Sequence, residues 1–376
     1  MRHKLEELFD LQMGKTPSRN NQDYWNTNDN MWISIGDLSQ SGMYVCETKE
    51  YLSDNAIMES GIRLIPENTV VMSFKLSIGK TAITRKEMYS NEAIMAFHDK
   101  HIVELIPEYI YYLFKFRNWD EGTNKAVLGK TLNKATLSKI EIDVCPIQKQ
   151  KKIVEILNRV SDVLEDRERQ ILALDDLIKS RFVEMFGDPV HNPKGWPVKK
   201  LGDLSLQINN GNTPKGGEQV YVDKGITFFR SQNVWKDRLE MEDIAYIDEA
   251  THASMIRSSL KHGDILMTKT GRINTENSSL GRAALYMGED DAANVNGHVY
   301  FIRLKSGVNN KFVLRILVSD EYRDHIRSVC VGGIDKRQLN KDHIEKFPII
   351  CPPESMIEEY IKFVHQVDKL KFYNVA

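Results

Sequence analysis

The sequence predicts an α+β protein: two similar domains joined by long antiparallel coiled-coil helices. The first observation is a duplication. Residues 4–146 and 200–352 pass through the same ordered landmarks, opening on K-L-E-E-L-F-D-L-Q-M-G-K-T-P (Lys4–Pro17) and K-L-G-D-L-S-L-Q-I-N-N-G-N-T-P (Lys200–Pro214). Leu5 matches Leu201, N-K-A-T-L-S-K (Asn133–Lys139) matches D-K-R-Q-L-N-K (Asp335–Lys341), and both copies reach an apolar run ending at Cys145-Pro146 and Cys351-Pro352. A nearly constant offset over many landmarks signals duplicated domains. The second observation is the segment between the copies, where apolar residues recur at a 3–4 spacing among charges, the coiled-coil pattern. The third is an irregular mixture of strand-like and helix-like runs within each copy, which points to α+β rather than a doubly wound parallel sheet. The expected division is 1–147 for the first domain, 148–186 for the helical spacer, 187–198 for a linker, 199–352 for the second domain and 353–376 for a shorter helical segment.

Each copy opens on a short amphipathic helix, with Leu5, Leu8 and Phe9 on one face in the first. A loop rich in Gly, Thr, Pro and Asn follows. Then comes an expected strand, Trp32–Leu38 in one copy and Phe228–Val234 in the other, leading into a polar turn. Ile65–Ser73 and Leu260–Thr268 each place a turn before an apolar, β-branched run and read as buried strands. Glycine-containing hairpins around Ile78-Gly79-Lys80 and Leu280-Gly281-Arg282 come next, followed by apolar helices at Pro107–Phe116 and Lys311–Val318.

The spacer seam consists of Ile153, Ile156, Val160, Val163, Ile171, Leu174 and Leu177, with Arg167 and Gln170 interrupting it. Phe186-Gly187-Asp188-Pro189 supplies the glycine and proline that stop a helix. A long helix with one apolar seam needs a partner. Met356, Ile357, Tyr360, Ile361, Val364, Val367 and Leu370 form a second amphipathic stretch after the second Cys-Pro, so antiparallel pairing of the two is expected. The rival arrangement packs each helix on its own domain alone.

Bulk properties describe an ordinary water-soluble chain: 376 residues, 41% hydrophobic, 28% charged, formal net charge −2. No apolar run approaches the roughly 20 residues that span a bilayer, and the acidic start M-R-H-K-L-E-E-L-F-D is no signal peptide. A cytoplasmic protein is expected, with Cys46, Cys145, Cys330 and Cys351 reduced and no C-x-x-C pair among them. The near-neutral balance neither announces nor excludes nucleic-acid binding, because a local basic face is invisible to overall charge.

Catalytic signatures fail one by one. Gly14-Lys15-Thr16, Gly79-Lys80-Thr81 and Gly129-Lys130-Thr131 each lack the earlier glycine of a phosphate-binding loop, where Phe9, Phe74 and Asn124 stand instead. No G-x-G occurs among the 22 glycines, which removes a dinucleotide fingerprint. Cys351-Pro352-Pro353 is followed by Glu354, not by an aromatic on which an extruded base could stack. G-x-S-x-G and H-E-x-x-H are absent, and neither His98 with His101 nor His252 with His262 has a metal-ligand set around it. A binding protein is the natural reading.

The segment Q-K-Q-K-K-I-V-E-I-L (Gln148–Leu157) leads into L-A-L-D-D-L-I-K-S-R-F-V-E-M-F-G-D-P (Leu172–Pro189), and G-W-P-V-K-K-L-G-D-L (Gly195–Leu204) opens the second copy. These stretches, with the order domain, spacer, domain, spacer, resemble the specificity subunits of type I restriction–modification systems. The resemblance implies two target-recognition domains, each reading one half of a split, asymmetric double-stranded DNA site, with the helices setting the spacing and docking two modification (methyltransferase) subunits. Restriction (helicase/nuclease) subunits complete such a complex. It implies no cofactor in this chain, S-adenosylmethionine, ATP and magnesium belonging to the partners, and no catalysis of its own. The C-terminal helical segment departs from a symmetric plan, with 24 residues (353–376) against 39 (148–186).

Guanine is read by Arg and Lys, adenine by Asn and Gln, and phosphates by any donor. The candidates for DNA contact are therefore Lys15, Arg19 and Asn20, with Lys215 opposite in the repeat; Arg230, Gln232 and Asn233 after the second copy's strand; and Lys269, Arg272 and Asn274 on a glycine-flanked loop, with Lys75 and Lys80 as counterparts. Lys130 and Lys134 pair with Lys336 and Arg337 in a third place. Polar loops are most often simply solvated, so the loop Lys269–Thr275 is a stronger candidate as a unit than any single residue. The competing readings are a non-catalytic coiled-coil scaffold for protein partners and, against the failed motifs, a self-contained nuclease or ATPase.

Overall fold

The computed structural model describes residues 1–375 apart from 26, 76, 120–123, 127–128, 274, 276 and 334–335, and only the backbone of 124–126, 129–131 and 372–375. The chain divides into two compact units, Met1–Asp166 and Arg167–Ala376, built on one plan. In the first, a sheet runs in the order Phe9–Met13, Ile94–Asp99, Val70–Ser73, Thr81–Thr84, Tyr44–Val45. In the second, the order is Ser205–Asn210, Val299–Leu304, Ile265–Thr268, Ala283–Leu285. The four strands of the second sheet match the first four of the other, and every pairing among them is antiparallel.

The central strands are buried on both faces. Val70 and Met72 point into one cluster with Phe97 and Phe114, while Val71 points into another with Ala82 and Ala96. Likewise Ile265 and Met267 join one core and Leu266 the other. Period-2 alternation sends neighbouring side chains to opposite faces, and both faces are covered here, so these strands read as continuous apolar runs. One cover is the helix Pro107–Lys115, or Asn310–Leu317 in the second unit, whose apolar residues enter the larger core. The other is a smaller sheet. It contains Glu50–Leu52, Asn30–Ile33 and Tyr89–Ser90 in the first unit, and Ala245–Ile247, Ile226–Phe229 and Ala293–Val295 in the second, with Tyr221–Val222 added. In both, the last two strands pair in parallel. A two-stranded ribbon ties the start of each sequence repeat to its end, with His3 opposite Ile142 and Lys199 opposite Ile349.

Local structure departs from the sequence reading where a cap interrupts an apolar run. The expected strand Trp32–Leu38 is a strand over Asn30–Ile33 followed by a helix over Ile35–Gln40. Ser34 and Asp37 form a reciprocal capping box, the Ser34 N–H donating to Asp37 Oδ2 at 2.8 Å and the Asp37 N–H to Ser34 Oγ at 3.3 Å. The expected strand Phe228–Val234 breaks likewise after Phe229, into a 3₁₀ turn over Ser231–Asn233. The opening helices are single turns, Leu5–Leu8 and Leu201–Leu204, and Phe9 already belongs to a strand. The second unit also carries a helix, Asp320–Val329, that sequence periodicity did not suggest.

The spacer is one 40-residue helix, Ile147–Phe186. Gly187, at φ +78°, ends it, and its N–H donates to Val183 O. Its first turns pack on the first unit through Ile153, Val154 and Leu157. Buried Gln150 pins them there: its amide donates to Glu104 O and Cys145 O at 2.8 and 2.9 Å and accepts from the Ile106 N–H at 3.1 Å. Its last turns enter the core of the second unit through Ile178, Phe182, Met185 and Phe186, with Leu174 packed against it. There the C-terminal helix Glu354–Val375 pairs with it antiparallel. Arg181 meets Glu359 at 2.8 Å, Tyr360 rests on Phe182 and Phe186, and Lys371 meets Asp175 at 2.6 Å.

The seam read from the sequence is thus not the paired surface along its whole length. Ile153 and Leu174 pack on cores and Ile171 is half-buried, but Ile156, Val160 and Val163 remain 52, 49 and 56% exposed and Leu177 is exposed too. The 3–4 spacing defines a face; the domain and the second helix choose which part of it to cover. Among the described residues no helix is long and apolar enough to cross a membrane.

Candidate nucleic-acid interface

One end of the larger sheet in each unit gathers the polar loops. In the second unit the strand Ser205–Asn210 runs into Gly211, whose N–H donates to Val299 O at 3.0 Å. A Cβ on Gly211 would lie 1.8 Å from Val295 O. Only glycine lets the backbone pass so close. Beyond this turn the exposed Lys215 projects. In the first unit Gly14 does the same: its N–H donates to Ile94 O at 3.1 Å, and a Cβ there would meet Ser90 O and Asn91 O at 2.2 Å. Exposed Lys15 follows, its own N–H held by Ser90 O and its ammonium by Ser60 O. The two glycines are positioning residues that sequence reasoning missed. Their signal was the shared Gly-x-Thr-Pro at Gly14–Pro17 and Gly211–Pro214, read only as loop composition and as a failed nucleotide motif.

Two sequence-predicted groups come together beside this turn. The Lys269 N–H donates to His298 O at 2.8 Å and its carbonyl accepts from Leu339 N–H at 2.9 Å. Thr270 and Gly271 pair antiparallel with Gln338 and Arg337, which pair in turn with Val331 and Gly332. The start of the Lys269–Thr275 loop and the Lys336–Arg337 segment therefore form one three-stranded patch. Arg272 and Lys336 are exposed on it, Lys269 lies 5.8 Å from the Tyr300 ring, and Arg337 is half-buried with one Nη donating to Cys330 O. Asn274 lies outside the described residues, as does the side chain of Lys130. In the first unit the equivalent tether is Leu132 N–H to Phe74 O at 3.1 Å. Lys75 sits over the Phe74 ring, Lys80 donates to Ser39 Oγ, and Lys134 is exposed in the first turn of a helix capped by Asn133.

Other candidates are engaged inside the protein. Asn233 is 1% exposed. Its side-chain oxygen accepts from Arg230 N–H at 2.9 Å, and its amide donates to Glu240 O and Asp243 O. It is the cap of its turn, the counterpart of Asp37, and not a group offered to a ligand, which corrects the sequence reading at this position. Arg230, with a side chain 14% exposed, binds Asp243 through its backbone carbonyl and carboxylate, and Gln232 donates to the same carboxylate at 2.7 Å. Gln232's hydrogen bond, then Arg230's charge, holds Asp243 below the usual carboxylate range. Arg19 makes a two-pronged pair with Glu50 and stacks 3.7 Å from the Trp25 ring; the bond to Glu50 raises its pKa. Asn20 beside it is exposed.

At the edge strand Ala283–Leu285, basic residues that sequence reasoning did not select meet an aromatic ring. Arg282 lies 3.8 Å and Arg238 5.3 Å from the Trp235 ring centroid. Trp235 and Arg238 face each other across the hairpin formed by Val234–Trp235 and Arg238–Leu239. The cue was faint: one basic residue three positions after a tryptophan and another far along the chain. Among the described residues no cluster of His, Cys, Asp and Glu could hold a metal ion.

The model of the type I restriction modification DNA specificity domain matches residues 1–174 and again 193–373. The chain is 25% identical to the type I restriction enzyme MjaIX specificity subunit of Methanocaldococcus jannaschii, over 96% of this chain and 85% of that one. Among solved structures, the S subunit of a type I restriction–modification system from M. genitalium superposes with a TM-score of 0.52 at 12% identity, covering 100% of this chain and 90% of that one. A chain from a study of assembly and conformational transition in the type I R-M system gives 0.54 at 15% identity, with the same coverage. The twofold family match falls on the two structural repeats, and the chain belongs to the type I restriction–modification DNA specificity family.

Proposed function

We propose that the chain is the DNA-recognition subunit of a type I restriction–modification complex, each of its domains reading one part of a two-part, asymmetric duplex site. The observation that carries this is the repeated sheet end. In both units a glycine-turned loop, the loop after the central strand and a tethered basic segment lie side by side, exposing Lys15 and Lys134 in one unit and Lys215, Arg272 and Lys336 in the other. Two homologous surfaces with different polar residues suit two different half-sites. Reading base edges needs such donors on a scaffold rigid enough to hold them in register.

The chain carries out no chemical step in this reading. Modification subunits, two in number, supply S-adenosylmethionine and methyl transfer; restriction subunits supply ATP- and magnesium-dependent work, in the cytoplasm. Docking is supported by the exposed stripe Ile156, Val160 and Val163 on the spacer helix. It is supported also by a cleft at the root of each long helix: about 860 Å³ beside Pro107, Ile147 and Lys151, and about 550 Å³ beside Asn310, Glu354 and Ile357.

The test is selection from random duplex DNA by the chain with its modification partner. Enrichment of a gapped, two-part sequence is the expected result. No enrichment from a complex that still assembles would favour the alternative, a scaffold for protein partners, which the exposed stripe alone would also serve.

A further inference from the structure

We propose that Arg282 and Arg238, arranged on Trp235, form a clamp for a backbone phosphodiester of duplex DNA at the edge of the second unit's recognition surface. The proposal rests on the DNA-reading function above and names a contact that the sequence did not suggest.

Position comes first. Arg282 precedes the edge strand of the larger sheet, and its carbonyl accepts from Thr268 N–H at 2.9 Å, next to Lys269 and the loop that follows. The hairpin bearing Trp235 and Arg238 is fastened to the same edge by Asp237 N–H to Ala283 O at 2.8 Å. The cluster therefore flanks the sheet end that presents Arg272 and Lys336. Protein–DNA interfaces place backbone contacts around the base-reading groups in this way, to set register.

The geometry around Arg282 suits a phosphate. Its guanidinium is stacked on the indole and donates through Nε to Ser278 O and through one Nη to Asn277 O. These bonds fix the plane of the fork, and its other Nη makes no hydrogen bond among the described residues. No carboxylate pairs with Arg282 among those residues, whereas Arg238 has Glu240 and Lys236 has Asp320. Trp235, Lys236, Asn277, Arg282 and Arg323 line a cleft of about 120 Å³. Burial, then the charges of Arg323 and Arg238, lower the proton affinity of Arg282. An oriented guanidinium among like charges gains from an anionic phosphodiester, whose two non-bridging oxygens it can engage with two parallel hydrogen bonds. Inorganic phosphate or a free nucleotide offers similar oxygens, so the test has an arm for the free ion.

The experiment is a titration of the full chain, assembled with its modification partner, with random-sequence duplexes at about 50 to 200 mM salt, where each phosphate contact adds about 0.9 to the slope of log affinity against log salt. Arg282→Gln is expected to flatten that slope by about one and to weaken binding about five- to tenfold near 0.1 M salt, equally on unrelated sequences. Arg282→Lys should recover most of the slope, and Arg238→Gln should flatten it independently. An unchanged slope in both glutamine variants overturns the clamp, as does a loss confined to one sequence, which would make Arg282 a base reader. Saturable binding of inorganic phosphate that Arg282→Gln abolishes, with duplex affinity and salt slope unchanged by the same substitution, assigns the site to a free anion and overturns its DNA role. A wild-type complex that assembles but binds no duplex at any salt overturns the recognition function itself, and the clamp with it.

Discussion

Gly211 has no room for a side chain: a Cβ would sit 1.8 Å from a carbonyl oxygen that cannot move without disturbing the parallel strand Ala293–Val295. Gly211→Ala is expected to destabilise the second unit by about 1–3 kcal/mol, the usual range for forced overpacking. That corresponds to a drop of several degrees in its melting temperature at roughly 2–4 °C per kcal/mol. Exposed Gly42, with nothing within 4 Å of its would-be Cβ, is the control, and Gly42→Ala should leave melting nearly unchanged. Equal behaviour of the two variants would refute the close-approach account. At this scale the residue types of the interface were legible, but their availability was not. Arg272 and Asn233 look alike in sequence as polar loop residues. One is exposed and the other is a buried cap, because burial depends on what Glu240 and Asp243 bring to it from the next hairpin.

The spacer helix shows what periodicity can and cannot say about an element. Its 3–4 spacing correctly marks a helix and a face. The same spacing does not say that the first turns are held by a domain, the last by a core and a second helix, while Ile156, Val160 and Val163 stay uncovered. The anchor at its start is polar. Gln150→Leu would strip partners from the Ile106 N–H and from the Glu104 and Cys145 carbonyls. The expected cost is at least about 2 kcal/mol, since buried unsatisfied groups cost about 1–3 kcal/mol each. A lower denaturant midpoint at unchanged m value is the readout. Exposed Lys149→Ala next to it should be neutral. A midpoint unmoved by Gln150→Leu would show that the apolar contacts of Ile153, Val154 and Leu157 suffice to seat the helix.

For the molecule as a whole, the duplication makes a separable prediction. Arg272→Ala should relax preference in one part of the selected sequence only, at a cost of about 1–3 kcal/mol there, and leave the other part intact. Competition with duplexes altered in one part at a time measures this, and loss of preference in both parts would mean that the domains do not read independently. The repeat, the helical spacer and the family resemblance were all present in the chain's order of residues, because a duplicated core must repeat its apolar landmarks and a coiled-coil seam must repeat its spacing. Short-range chemistry legible in one stretch stopped at the caps: Ser34 and Asp37 turn an apolar run from strand to helix through two hydrogen bonds that hydrophobicity does not register. Folding in three dimensions decided the rest. It set Gly271 beside Arg337, Gly211 beneath Val295 and Arg282 upon Trp235, pairs separated by dozens of residues, because strand pairing and close packing join positions that no local pattern connects.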